Sequence, residues 1–329
     1  MKINTSIATT IILLFVSQYV VSQDFNFSQF ENAPLYLNPA LSGIYNGQHR
    51  LLINHRNESV DVLGDDGFSA TSISYDTRIK TSKKAFIGIG GNYIKSRSGS
   101  LDFGADSYKL SAAYVYNFSK DPEQPQFISF GLDFGETQRT VDLMDTRWPS
   151  QHDGSGGFNP NLPPGNPSDF NFVYPDLGVG LVWEKSLKKN NAIRAGLSMH
   201  HINKANVSFL GNAQNLLVMY SAFASGEVAI VDKLALLPSA LFLKQGKIKQ
   251  FMLGSSARLY LNPKGILKYI QFGTWIKTAS SPTTSAANTM VFLIETQVKK
   301  LLFAFSYDRR SSDAFTNNGL ELSLGYTFN

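Results

Sequence analysis

The most constraining feature of this sequence is its final stretch, Gly319–Asn329. Side chains of an extended strand alternate between two faces, so one face of this stretch is wholly apolar and the other is small or polar. The apolar face consists of Leu320, Leu322, Leu324, Tyr326 and Phe328, and the other of Glu321, Ser323, Gly325 and Thr327. Such a strand needs a partner for its backbone edge, and pairing within the same chain closes a barrel. Apolar residues outside, polar residues inside and aromatic residues at the border are typical of a transmembrane β-barrel.

Composition and the first residues narrow the class of protein. The 329 residues allow two domains or one large barrel, and 12% aromatic with only 17% charged residues favours a β-rich protein. The absence of cysteine excludes disulfides and cysteine-ligated zinc. Residues 1–22 have the pattern of a secretory signal peptide, with Lys2, an apolar run at 11–16 and a plausible cut ahead of Gln23. No later stretch is apolar enough to predict a membrane-spanning helix.

A segment without strand or helix periodicity follows the predicted signal, at residues 23–47. Pro34 and Pro39 interrupt both kinds of period, yet the apolar residues around them need cover. We therefore expect the segment to pack against or inside the main fold, as a possible plug. Its candidate site residues form an N-terminal motif of Phe27, Ser28, Gln29, Phe30, Leu37, Asn38, Pro39 and Ala40.

The rest of the chain, 48–329, contains fourteen strand candidates and predicts an all-β, transmembrane antiparallel barrel. They lie approximately at 48–57, 68–78, 85–96, 105–118, 126–139, 174–184, 191–202, 220–230, 234–245, 249–261, 270–277, 288–295, 301–307 and 319–328. Lengths near ten residues match a tilted strand crossing a bilayer. Within 234–245, Pro238 predicts a bulge or irregularity.

The connections between these candidates alternate in length. They are short after even-numbered strands and mostly longer after odd-numbered ones, and only 246–248 departs from this rule. A soluble sandwich has no reason to keep this parity. An outer-membrane barrel does, because its periplasmic turns are short, its outer loops are long and both of its ends lie in the periplasm. The Gly- and Pro-rich loop at 140–173 should therefore lie outside the cell or fold over the barrel mouth.

The short connections are also strongly basic, with many more lysines than acidic residues. Two interpretations stay open: the lysines anchor the barrel at the lipid interface, or they form a periplasmic rim that docks an acidic partner. The candidate partner-binding residues are Lys83, Lys84, Lys188, Lys189, Lys299 and Lys300.

The sequence carries little that suggests chemistry. No G-x-S-x-G, H-E-x-x-H or phosphate-binding glycine loop occurs, so we predict no enzymatic activity and no cofactor. Adjacent strand residues point to opposite faces, so His200 and His201 should not share a metal, and no metal site is predicted. His55, Arg56 and His200 could meet in the lumen, but a satisfied polar interior is the favoured interpretation. The polar lumen candidates, which could line a channel or hold a plug by ion pairs, are Arg56, Lys109, Asp133, Arg194, His200, Arg258 and Glu321.

Several stretches resemble the PorP/SprF family. They are F-S-Q-F-E-N-A-P-L-Y-L-N-P-A-L-S-G at 27–43, L-L-I-N-H-R-N at 51–57, S-I-S-Y-D at 72–76, G-L-S-M-H-H-I-N at 196–203, P-S-A-L-F-L-K-Q-G at 238–246 and the L-E-L-S-L-G-Y-T-F ending. The resemblance covers the whole predicted mature chain. Its departures are Asn329 after the terminal aromatic residue and Lys204-Ala205-Asn206 in a loop.

This resemblance implies an outer-membrane component of the type IX secretion system of Bacteroidota, which also serves gliding motility. The implied partners are a secreted surface protein or adhesin with a C-terminal sorting domain, a periplasmic peptidoglycan-binding lipoprotein and other components of the system. Outer-membrane lipid would surround the barrel, and no nucleic acid is implied. The loops at 140–173 and 203–219 would bind the cargo. The alternatives are a passive, porin-like diffusion channel and an outer-membrane lipid hydrolase, which would need a serine beside His55 or His200.

Overall fold

The structure, a computed structural model, describes residues 24–58, 67–99, 103–141, 149–154, 157–159, 161–163, 170–187, 191–208, 214–262, 265–281, 284–310 and 318–329. Within these residues, fourteen strands form one closed antiparallel barrel in which each strand pairs with its sequence neighbours and β14 pairs with β1. The strands are β1 His49–Glu58, β2 Phe68–Lys80, β3 Ala85–Ser98, β4 Phe103–Asn117, β5 Gln126–Val141, β6 Phe170–Ser186, β7 Ala192–His200, β8 Met219–Val231, β9 Leu234–Gln245, β10 Ile248–Tyr260, β11 Leu267–Ser281, β12 Thr284–Val298, β13 Leu301–Arg310 and β14 Gly319–Phe328. The predicted fourteen-stranded barrel is confirmed.

Most observed strand ends lie within a few residues of the predicted ones. The largest differences are in β6, β11 and β12, whose observed ladders are longer. At these ends the pairing continues through residues such as Thr278 and Asn171, which belong to no apolar alternation. Backbone hydrogen bonds hold a ladder together whatever the side chains are, so the apolar pattern alone underestimates strand length.

The terminal strand closes the barrel as its pattern predicts. It pairs with β1 over ten residue pairs, from His49 with Phe328 to Glu58 with Gly319. Its outward residue Leu322 is 57% exposed, whereas the inward Glu321 is 1% exposed. The outer surface is therefore apolar along the strand, while the polar alternate residues lie inside.

The two ends of the barrel differ. We call the end with His49 and Phe328 the short-turn end, because hairpins such as Thr81–Lys84 and Lys299–Lys300 close it. The opposite, long-loop end carries the longer connections. One connection there is only two residues long, Gly246–Lys247, where Gly246 has a φ of 58°. This tight turn accounts for the one predicted exception to the loop parity.

The predicted irregularity at Pro238 is a local gap in the ladder and not a bulge. The β8–β9 pairs on either side of it, Ser225–Ser239 and Val228–Leu236, keep the same register, and the register shift between these strands lies between Ala229 and Val231. Proline has no backbone N–H to donate to a ladder, which explains an interruption at this position.

The core of the molecule lies inside the barrel. Residues 24–47, which we call the inner segment, run through the lumen with a short helix α1 at Pro34–Leu37 and 3-10 turns at Phe30–Asn32 and Pro39–Leu41. Its apolar residues pack against inward residues of the wall, namely Val115, Val182, Phe223, Leu241, Leu243, Met252, Trp275 and Val291. The expectation that the segment packs against or inside the barrel is confirmed. The inward face is not polar throughout, because the wall also supplies apolar side chains where the segment needs cover.

The inner segment spans much of the lumen. The Asp24 backbone N–H donates to Gln245 Oε1, which lies at the long-loop end, while Gly43 approaches Gly88 near the short-turn end. The first strand therefore begins and the last strand ends at the short-turn end, whereas the inner segment begins near the long-loop end. Which of these ends faces the periplasm stays a prediction. Among the described residues, no helix is long and apolar enough to cross a membrane.

Candidate functional site

Three wall glycines let the inner segment touch the barrel wall. A Cβ atom on Gly131 would lie 2.3 Å from the backbone nitrogen of Ala40, one on Gly180 would meet the Asn38 side chain, and one on Gly88 would meet the backbone oxygen of Ser42. Real Cβ atoms do not approach other atoms so closely, so an alanine at any of these positions would displace the segment. We call Leu37–Gly43 the glycine-docked part.

Hydrogen bonds also hold the glycine-docked part against the barrel wall. The Asn38 amide donates to the backbone oxygens of Leu181 and Leu197 at 3.2 and 2.9 Å, and its Oδ1 accepts from the Ala40 N–H at 2.9 Å. Ser129 Oγ donates to the Ala40 carbonyl at 2.7 Å. Pro39 lies at the first position of a 3-10 turn, where its missing N–H costs no hydrogen bond. The predicted N-P-A motif is thus buried against strands β5–β7.

A cluster of buried charges holds the other end of the motif. Arg56 lies between Glu321 and Asp308, at 3.0 and 2.7 Å, and all three side chains are almost completely buried. The Glu321 carboxylate also accepts the backbone N–H groups of Ser28 and Gln29, at 2.7 and 3.0 Å. Lys277 completes the cluster with an ion pair to Asp308 at 3.0 Å. Arg56 and Glu321, both predicted lumen residues, therefore anchor the segment; we call Asp24–Gln29 the ion-held part.

A second charged cluster lies near the long-loop end. Lys109 Nζ contacts Asp176 at 2.8 Å and Asp133 at 3.4 Å, and His200 Nδ1 lies 3.6 Å from Asp133. Three predicted lumen residues, Lys109, Asp133 and His200, are therefore together. Asp176, which was not among the predicted lumen residues, links this cluster to His201.

His201 joins the inner segment to this cluster. Its Nδ1 lies 2.9 Å from Asp176 and its Nε2 lies 2.5 Å from Asp24. Burial disfavours a charged imidazole, but Asp24 and Asp176 outweigh it and raise the pKa of His201 to about 9. Burial opposes ionisation of Asp24 as well, and His201 overcomes it, so the pKa of Asp24 is below its usual value. The pair is therefore ionised at neutral pH.

The histidine geometry corrects two predictions. His200 ends β7 and His201 has a φ of +59°, so the chain turns and both imidazoles are buried inside, not on opposite faces. His55 points outward and bonds Thr71 at 2.8 Å, so it does not meet Arg56 and His200 in the lumen. In the described ranges, no group of three or more acidic residues, histidines or cysteines is placed to hold a metal ion.

The remaining predicted lumen residues lie nearer the short-turn end. Arg194 pairs with Glu184 at 2.6 Å, and Arg258 lies 3.6 Å from Glu295. Both arginines line a cavity of about 400 Å³ beneath the inner segment. The lumen therefore has charged cavities on both sides of a tightly packed middle.

The lysine residues are at the surface where they are described. Lys83 and Lys84 are exposed in the β2–β3 hairpin, and Lys299 and Lys300 are exposed in the β12–β13 hairpin. Lys188 and Lys189 lie outside the described residues. All described members share the short-turn end, so together they form one basic edge, which we call the lysine rim.

The candidate cargo loops are described only in part. Within 140–173, Pro149–Gln151 forms a 3-10 turn and His152 bridges Phe158. Within 203–219, Asn206 bridges Asn215, and Val207 and Leu216 pack on Tyr174. Much of the first loop lies outside the described residues.

Several lumen residues were not predicted from the sequence. Asp308, Lys277 and Asp176 occupy inward positions of their strands, so period-two alternation was the available signal. Which charges meet depends on strand register across the barrel, and alternation does not give that register. Gly131 and Gly180 also lie on the inward face, but their role is apparent only with the segment in place.

Comparisons with solved structures place the fold among membrane barrels. The TodX monoaromatic hydrocarbon channel deltaS2 mutant is 11% identical, with a TM-score of 0.50, and the match covers 91% of this chain and 94% of that one. CdiB from Acinetobacter baumannii is 9% identical with a TM-score of 0.48; the match covers 85% of this chain but only 60% of CdiB. A Pseudomonas aeruginosa FadL homologue is 12% identical with a TM-score of 0.46, covering 89% and 93% of the two chains. The TodX likeness shows the barrel fold alone.

Comparison at the level of sequence families is specific. No curated protein matches the sequence. A family model described as type IX secretion system membrane protein PorP/SprF matches residues 20–326, which is nearly the whole chain. The fold agrees with this description, since a closed barrel with an apolar outer surface and a polar inward face is the architecture of outer-membrane proteins. The chain therefore belongs to the PorP/SprF family of type IX secretion system membrane proteins and is an outer-membrane β-barrel.

Proposed function

We propose that this barrel is a non-enzymatic scaffold of the type IX secretion and gliding machinery that helps export or anchor surface proteins carrying a C-terminal sorting domain. The observation that supports this role is the inner segment, which packs in the middle of the lumen with Phe27, Leu37 and Ala40 buried. A barrel filled in this way is better suited to holding partners at its two ends than to conducting solutes.

The two ends are suited to different partners. The lysine rim offers positive charge to an acidic surface, and a periplasmic peptidoglycan-binding lipoprotein is the partner that we assign to it. The long-loop end, with the loops at 140–173 and 203–219, would receive the secreted cargo. Other components of the secretion system and outer-membrane lipid would contact the outer wall.

Gene deletion with complementation tests the proposal. We expect deletion to abolish surface attachment of at least one cargo with a sorting domain, and the full chain to restore it. Continued secretion and attachment of every such cargo in the deletion strain would contradict the scaffold role.

Charge reversal separates the two ends. We expect Lys83→Glu, Lys84→Glu and Lys300→Glu together to reduce recovery of the lipoprotein from native membranes. The matched control is Lys204→Glu, Lys247→Glu and Lys249→Glu, which makes the same charge change on exposed lysines at the long-loop end. Equal lipoprotein recovery with both triple variants would leave the rim lysines as lipid anchors only.

The porin-like alternative is tested by conductance. Cavities of about 350 and 400 Å³ lie above and below the inner segment, so displacement of the segment would join them. We expect the purified protein to be silent in planar bilayers. Steady conductance by the full chain would favour a diffusion channel over a scaffold.

A further inference from the structure

A cavity of about 350 Å³ lies at the long-loop end, between the inner segment and the ends of strands β2–β8. This volume is near the lower end of the range of about 300–1,000 Å³ that small-molecule sites occupy. One part of its lining is apolar and largely aromatic: Phe25, Tyr36, Phe68, Ile94, Phe103 and Met219. Such a wall can receive the apolar body of a ligand.

Most charged groups of the cavity already have partners. Lys109 is paired with Asp176 at 2.8 Å, and His201 is paired with Asp176 and Asp24 at 2.9 and 2.5 Å. Gln245 Nε2 also donates to the Asp24 carboxylate at 3.2 Å. Asp24 is therefore held between His201 and Gln245.

Arg139 is different. It lines the cavity and is only 5% exposed, yet its Nε has no hydrogen-bond partner. Its guanidinium hydrogen-bonds the neutral Tyr174 hydroxyl, and it forms no ion pair with a carboxylate of the described chain. The ring centroid of Phe103 lies 5.9 Å from Arg139 Cζ. A desolvated guanidinium of this kind is stabilised most by a carboxylate, which matches its forked N–H groups.

The geometry points to a binding site for an amphiphilic carboxylate, with the carboxylate on Arg139 and the apolar body against the aromatic wall around Phe103. The acid group could belong to a free small molecule or to the C-terminal carboxylate of a polypeptide. Binding here is independent of the secretion role, because the cavity belongs to the barrel and its inner segment alone.

Binding of phenylbutyrate and phenylbutanol to the full chain in lipid nanodiscs tests this site. The two probes share an apolar body and differ in the acid group. We expect phenylbutyrate to bind at least about tenfold more tightly than phenylbutanol, because a charge-assisted hydrogen bond is worth about one to two factors of ten. Equal binding of the two probes, or binding of neither, overturns the proposal without any variant.

Substitution locates the site. We expect Arg139→Gln to lose the preference for the acid and Arg139→Lys, which keeps the charge but not the fork, to retain part of it. The control Lys95→Gln removes the same charge from an exposed position near the same end and should keep the preference. Retention of the full preference by a folded Arg139→Gln variant overturns the assignment.

A second pair of probes identifies the source of the carboxylate. A short peptide ending in phenylalanine is used as the free acid and as the amide. Competition with phenylbutyrate by the acid but not by the amide supports a polypeptide C-terminus. Binding of phenylbutyrate without competition by either peptide supports a free small acid.

Discussion

The two parts of the inner segment are held in the same lumen by different means. The glycine-docked part, Leu37–Gly43, contacts the wall through its backbone, at positions where Gly88, Gly131 and Gly180 leave room. The ion-held part, Asp24–Gln29, depends on charged side chains, chiefly Glu321 and His201. Steric fit does not respond to pH, whereas ion pairs do. The comparison indicates that the glycine-docked part fixes the position of the segment, whereas the ion-held part can respond to pH.

Removal of Arg56 should have the largest effect on this comparison. Arg56→Met leaves Glu321 and Asp308 buried without their shared partner, and breaking a buried pair in this way costs about 3–5 kcal/mol. We expect a correspondingly lower midpoint in urea unfolding. Adding Glu321→Gln should recover part of the loss, because it neutralises the carboxylate that has lost its partner while Asp308 keeps its ion pair with Lys277. No recovery in the double variant would show that packing, and not charge, holds this part.

Addition of a methyl group at Gly131 should have the next largest effect. In Gly131→Ala, the new methyl group would meet the backbone of Pro39 and Ala40, and overpacking of this kind costs about 1–3 kcal/mol. The matched control is Gly91→Ala, whose Cβ would come no closer than 3.6 Å to any atom. Equal unfolding midpoints for the two variants would mean that the segment is not pressed against β5.

Raising the pH should loosen the ion-held part alone. The pKa of His201 is raised from 6.5 to about 9, so the stabilisation is complete below pH 6.5 and is lost as the pH rises through 9. Hydrogen-exchange protection of the Asp24–Gln29 region, corrected for intrinsic rates, should fall by up to about tenfold per pH unit in this window. Protection of Leu37–Gly43 should stay constant. In His201→Gln the pH dependence should disappear, and its persistence would assign it to another group.

Loss of one hydroxyl group should have the smallest effect. Ser129→Ala removes the donor to the Ala40 carbonyl and leaves that buried acceptor without this bond, which costs about 1 kcal/mol. Ser129 and Gly131 lie on the same inward face of β5. Comparison of Ser129→Ala with Gly131→Ala therefore separates the loss of a hydrogen bond from the loss of space for the segment. An effect of Ser129→Ala larger than that of Gly131→Ala would reverse our description of the glycine-docked part.

The sequence predicted the barrel well because its signals are local. Alternation, loop parity and the terminal strand give strand number and direction without knowledge of any long-range contact. The burial of Phe27 and Phe30 could also be expected, since apolar residues need cover. The partners of Arg56 could not, because Asp308 and Glu321 come from the other end of the chain and meet it only through the register of the closed barrel. The paired burial of His200 and His201 depended on one left-handed residue that no period reveals.

Arg56 and Glu321 also belong to the two strands that meet where the cylinder is sealed, β1 and β14, and they face each other in that pairing. Ser28 and Gln29 bind the same carboxylate. Pairing of β1 with β14 and binding of the inner segment therefore use the same charged groups. Each of these two steps makes the other more favourable. Assembly of this protein should accordingly be cooperative: a barrel in which β1 and β14 are not paired would lack the Arg56–Glu321 ion pair beside the segment, and a barrel without the segment would leave Glu321 without two of its backbone donors.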